Sequence, residues 1–119
     1  MLEQGRGVAQ SSELAAMLYG QAADKGSAIA LYNLACMHGD GRGVRKSKEE
    51  AFKLCKAAAL EGGLEGYAPA QHDVACMYRD GTGTAAVRSE AVRWFKAAAA
   101  QGHQDAVVAV GVLEVADGL

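Results

Sequence analysis

His72 and Cys76 stand four residues apart in the stretch APAQHDVACMYRD. On a helix that step places both side chains on one face, the spacing of an imidazole and a thiolate that share a metal. Cys36 and Asp73 are the side chains that could act as a third ligand. Cys36, however, lies 40 residues before Cys76. If that distance is one structural period, the helices carrying the two thiols are on the order of 10 Å apart, too far for bonds of about 2.3 Å to one zinc. The same gap excludes a Cys36–Cys76 disulfide, whose Cα atoms must come within about 7 Å. A Cys36–Cys55 bridge stays open if facing helices bring the two level, but a packed thiol is the ordinary account of Cys55. No metal or cofactor is expected. No catalytic group is expected either, because the chain has neither a Gly-x-Ser-x-Gly elbow nor a Gly-x4-Gly-Lys phosphate loop. Glu49, Glu50 and Glu90 fall where helix N-termini favour negative charge, so they read as dipole partners rather than an acid and a base. Arg42 and Arg45 beside a glycine turn read as solvated.

The elements that position these residues repeat. Gly5-Arg6-Gly7-Val8 returns as Gly41-Arg42-Gly43-Val44 and as Gly81-Thr82-Gly83-Thr84, at offsets of 36 and 40. The word Ala-Ala-x-x-Gly, at Ala22, Ala58 and Ala98, keeps the same offsets. Ala35-Cys36-Met37 recurs as Ala75-Cys76-Met77. Three words in constant order define a tandem repeat, with four extra residues between Gly62 and Ala68. Recurrence in every copy also marks Gly-x-Gly as a turn, not a phosphate cradle.

Each period holds two helical patterns. An A helix runs from about Ala28 to Gly39, and Gly41 and Gly43 then turn the chain. A B helix starts at Ser47, with Glu50 completing a capping box, and is expected to end at Gly62. The preceding copy is expected to start its B helix at Ser11. In the following copy Val87 cannot cap, so that helix is expected to begin less sharply, near Ser89. Pro69 sits in a first turn, where proline is tolerated. A last A helix covers about Asp105 to Ala116. The domain expectation is one unit over 1–119: a half repeat at 5–26, repeats at 27–62 and 63–102, and a half repeat at 103–119.

At about 100° per residue, one stripe of the A helices carries Tyr32, Asn33 and Cys36, then His72, Asp73 and Cys76, then Val108, Ala109 and Val112. Side by side they form a ladder, polar at one end and apolar at the other. It reads as a peptide-binding groove, with Tyr32, Asn33, Cys36, His72, Asp73, Cys76, Val108 and Val112 as its partner-binding residues. The competing reading is that superhelix curvature partly buries the stripe and nothing specific binds.

Composition agrees with a repeat. Twenty-five alanines and 15 glycines stand against one proline and seven aromatics, and 14 acidic against 12 basic residues leave a formal charge of −2. Alanine favours helix but offers little area, so its helices must approach closely. The charge balance points to no nucleic-acid partner. The most apolar stretch, 106–116, is about half the length of a membrane span. Residues 1–10 have no signal-peptide pattern, and three cysteines are too few for a disulfide scaffold, so the expected compartment is reducing and cytoplasmic.

The words ALYNLACMHGDGRGV…EEAFKLCKAAALEG and APAQHDVACMYRDGTGT…SEAVRWFKAAAAQG resemble the Sel-like repeat family, tetratricopeptide-related α/α solenoids, over about residues 5 to 116. The period separates them from tetratricopeptide repeats proper, at about 34 residues. His38 departs from the family pattern, standing where an aromatic precedes the glycine turn, while Tyr78 keeps it. The resemblance implies an all-α fold, a right-handed α/α superhelical solenoid of helix-turn-helix repeats with about six helices. It implies a non-enzymatic scaffold or adaptor for a peptide or protein partner. Some relatives staple helices with cysteines about eight positions apart, and Cys36, Cys55 and Cys76 do not have that spacing. A few cysteine-rich relatives are linked to β-lactam binding, a second class that would need a nucleophile or charged cluster. The final helix is apolar nearly all round, so a third expectation is that it docks on another copy through the uncapped ends, or that the array continues and this chain is a segment of a longer repeat protein.

Overall fold

The computed structural model describes residues 2–61 and 66–116, with backbone alone at 2–10, 114 and 116. It holds six helices: α1 (Leu2–Asp24), α2 (Ala28–Asp40), α3 (Lys48–Leu60), α4 (Ala68–Asp80), α5 (Arg88–Ala100) and α6 (Gln104–Ala116). No strand occurs among the described residues. Consecutive helices pack on one another along the chain. The result is a helical repeat solenoid measuring 55 × 29 × 23 Å, with a radius of gyration of 15.8 Å. A compact globule of this length would have about 13.5 Å.

The glycine word makes both a turn and a contact between repeats. Gly41 and Gly81 are left-handed, at φ 70° and 71°, and donate their N–H to the carbonyls of Met37 and Met77. The chain then returns through Ser47 N–H to the His38 carbonyl and Val87 N–H to the Tyr78 carbonyl, both at 2.9 Å. In the second and third words the second glycine lies on the preceding B helix. A Cβ at Gly43 would collide with the Ser12 carbonyl, and one at Gly83 with the Lys48 carbonyl.

This geometry corrects two expected helix starts. Val87 does not delay α5, which begins at Arg88 in the register of Lys48, because the bond to Tyr78 sets its first turn without a side-chain cap. Gly5 and Gly7 do not form a turn ahead of Ser11. They lie inside α1. Ser47 caps α3 as expected, accepting from Glu50 N–H at 3.1 Å. The four-residue insertion and the expected cap at Gly62 lie outside the described residues; α3 ends at Leu60 with Glu61 N–H on the carbonyls of Ala57 and Ala58.

Alanine packs the helix crossings. Ala51, Ala58, Ala91 and Ala98 on the B helices and Ala70, Ala75 and Ala106 on the A helices are buried, around the larger Phe95, Val74 and Trp94. Ala15 and Ala22 hold the matching places on α1 but are only half-buried, since no A helix covers that side. Leu54 is likewise half-buried, whereas Trp94 in its register is buried, so truncating Trp94 will cost more.

Candidate protein-interaction surface

The A helices α2, α4 and α6 bring the predicted stripe into register. Tyr32 and His72 each meet the next unit of the array. Tyr32 reaches from α2 to α4: its hydroxyl donates to Asp73 Oδ2 at 2.7 Å, and its ring meets Tyr67 edge-on with centroids 5.7 Å apart. Burial, together with the Asp73 bond, pushes the Tyr32 hydroxyl pKa up. His72 repeats the arrangement one unit on, its ring edge-on to Phe95 and stacked on His103 at 4.7 Å. His103 is the register partner of Tyr67, and its Nδ1 accepts from Ala106 N–H, closing the first turn of α6. Asn33, in Asp73's register, is half-buried. Val108 and Val112, at the positions of His72 and Cys76, are 63% and 62% exposed.

A second set of bonds runs along α4. Asp73 Oδ1 lies 3.2 Å from His72 Nδ1, and Cys76 Sγ lies 3.9 Å from His72 Nε2. Thiol, imidazole and carboxylate thus stand in the order of a nucleophile, its base and an orienting acid. The electrostatics oppose that chemistry. Burial raises the Cys76 pKa, and although Arg79 lowers it, Asp73, Asp80 and Asp105 raise it further. Burial likewise raises Cys36 and Cys55, with Asp73 adding to both. A thiol whose pKa is raised above 9 is almost wholly protonated at neutral pH, and the thiolate is the nucleophile. All three cysteines are free. Alkylation by iodoacetamide at pH 7.5 is therefore expected to be slower at Cys36 and Cys76 than in a small thiol. Cys55, 1% exposed, should react last, and mass spectrometry of timed samples reads all three. Among the described residues no group of three His, Cys, Asp or Glu side chains could hold a metal ion.

Between the A helices the stripe opens into two hollows. The first, about 250 Å³, is lined by Tyr32, Cys36 and Asp40 of α2, Lys48 of α3, and Asp73 and Met77 of α4. The second, about 290 Å³, is lined by His72 and Arg79 of α4 and by Asp105, Val108 and Val112 of α6. Among the described residues no helix is long and apolar enough to cross a membrane.

The Sel1 repeat family model matches residues 1–27, 28–63 and 68–103. The chain belongs to the Sel1 repeat family. Two solved structures share the fold. The Sel1 repeat protein from Oxalobacter formigenes is 31% identical, with a TM-score of 0.77 over 84% of this chain and 40% of that one. The protective antigen c5321 of uropathogenic Escherichia coli, which displays an SLR fold, is 30% identical, with a TM-score of 0.78 over 87% of this chain and 21% of that one. This chain therefore spans well under half the length of either protein. No curated protein sequence matches it. Sel1 repeats are commonly protein-interaction modules and generally not catalytic.

Within the Sel1 frame, the charged lining residues that sequence reasoning missed are Asp40, Lys48, Arg79 and Asp105, all within a turn or so of a helix end. His103 and Tyr67 were within reach, since each immediately precedes an A helix 36 residues from the other.

Proposed function

We propose that this Sel1 chain is a non-enzymatic scaffold whose A-helix stripe forms a concave groove for a peptide or protein partner. The two hollows carry the reading. Each is lined mostly by apolar surface with charged side chains among it, Asp40, Lys48 and Asp73 in the first and Arg79 and Asp105 in the second, and they succeed one another along one face. Such a pair suits a segment that seats two apolar side chains in succession beside charged groups. The raised thiols speak against the β-lactam alternative.

Asp40→Lys tests the groove. Asp40 lines the first hollow and is mostly exposed, its ion pair with Arg42 being a surface contact worth little to folding. Quantitative pull-downs should lose a partner with Asp40→Lys and keep it with Lys53→Glu, an exposed change on α3. Equal recovery with both variants would remove the groove from consideration.

A further inference from the structure

The first hollow, between α2, α3 and α4, has apolar walls that include Tyr32, Ala51 and Met77, and three charged side chains line it as well: Asp40, Asp73 and Lys48. Two carboxylates thus stand against one ammonium. Both carboxylates have room for a further donor. Asp40 Oδ2 lies 3.2 Å from Arg42 Nε, but the two side chains are 63% and 58% exposed, so water screens the pair and a second cation can share or displace it. Asp73 accepts from the Tyr32 hydroxyl through Oδ2, and its Oδ1 lies beside His72 Nδ1. A carboxylate oxygen accepts about two hydrogen bonds, and the Asp73 side chain is 37% exposed. The Tyr32 bond therefore fixes Asp73 at the wall of the hollow and leaves it able to accept again.

The helices around the hollow differ in charge by layer. Among the described side chains, the A helices α2, α4 and α6 hold Asp40, Asp73, Asp80 and Asp105 against one cation, Arg79. The B helices α3 and α5 hold six lysines and arginines against Glu49, Glu50 and Glu90. Arg45 and Lys46 belong to the turn after α2 and do not line the hollow. The stripe lies on the A helices, so a segment laid along it meets a field set mainly by carboxylates. Charges placed in this way select a partner more than they add raw affinity.

The geometry points to a basic partner: the segment seated in the first hollow carries a lysine or arginine beside its apolar side chain, the apolar group against Tyr32, Ala51 and Met77 and the cation on Asp40 and Asp73. This rests on the groove reading above and adds the charge of what the groove takes. Lys48 makes that charge testable, because an acidic segment in the same hollow would pair with its ammonium instead.

Random peptides displayed on phage and selected on the full 119-residue chain supply the probe. The selected sequences should pair an apolar residue with lysine or arginine. Fluorescence anisotropy with one such peptide then reads two variants at exposed positions, each changing a single charge. Asp40→Asn should weaken binding about fivefold, the upper worth of an exposed ion pair. Lys48→Gln should leave binding unchanged or tighten it. Iodoacetamide locates the peptide: bound in the hollow, it slows alkylation of Cys36, which lines the hollow, more than that of Cys76, which does not. A peptide that shields Cys36 yet is weakened by Lys48→Gln, or is indifferent to Asp40→Asn, overturns the inference and leaves the groove standing. A selection in which no peptide shields Cys36 removes the groove and the inference together.

Discussion

Phe95→Ala is expected to lower the unfolding free energy by about 3–5 kcal/mol, the range for truncating a buried aromatic. The Phe95 side chain is fully buried on α5. The His72 ring meets it edge-on at 5.6 Å, and the Arg79 guanidinium lies over it at 5.8 Å. Its removal would open a cavity between the last two A helices and loosen the His72 ring that stacks on His103, whose Nδ1 caps α6. The loss should therefore reach the C-terminal helix as well as α5. Phe95→Leu keeps most of the volume and should cost less than about 1.5 kcal/mol. Cys55 offers an internal comparison, because it holds the same register one unit earlier with a much smaller side chain. Urea denaturation gives the measurement: a large fall in midpoint for Phe95→Ala at an unchanged slope, and a small one for Phe95→Leu. Equal falls would mean that the ring itself, and not the volume it fills, carries the stability.

The helices were legible because the repeat words mark backbone events. Gly41 and Gly81 take a left-handed φ, and Ser47 caps with its own hydroxyl, so residue type and local conformation are tied at those places. The corrections fall where tertiary contact, not residue type, decides. Val87 makes a poor cap by chemistry, yet α5 starts beside it because its backbone N–H is held by Tyr78. Gly5 and Gly7 spell a turn, yet they lie inside α1.

The stripe was legible as a set but not in its bonds. Helical periodicity placed Tyr32, His72 and Val108 at equivalent positions without indicating that Tyr32 and His72 reach into the next unit. Hence the same register yields a hydrogen bond at Tyr32, a ring stack at His72 and bare valine at Val108. The difference lies in the neighbour that each residue meets. Exposure on this face reports that neighbour as much as the residue itself.

The second glycine of the repeat word should show an effect that changes sign with context. Gly83 sits at φ 73°, where an L-residue costs roughly 1–2 kcal/mol in backbone energy alone. Its missing Cβ is also filled by the Lys48 carbonyl, with Phe52 Cβ at 3.1 Å, so alanine there must push α3 away from the turn. Gly102, at φ 83° with nothing within 4 Å, carries the backbone cost without the collision. Gly83→Ala is therefore expected to destabilise by about 3 kcal/mol or more, and Gly102→Ala by only about 1–2 kcal/mol. Gly7 occupies the same place in the first word but lies inside α1. Replacing a glycine in a helix interior gains about 0.5–1 kcal/mol, so Gly7→Ala should stabilise slightly. Thermal or urea unfolding of the three variants ranks them directly. If Gly83→Ala and Gly102→Ala cost the same, the word is only a turn; if they separate as expected, it is also the seat on which each repeat rests against the one before.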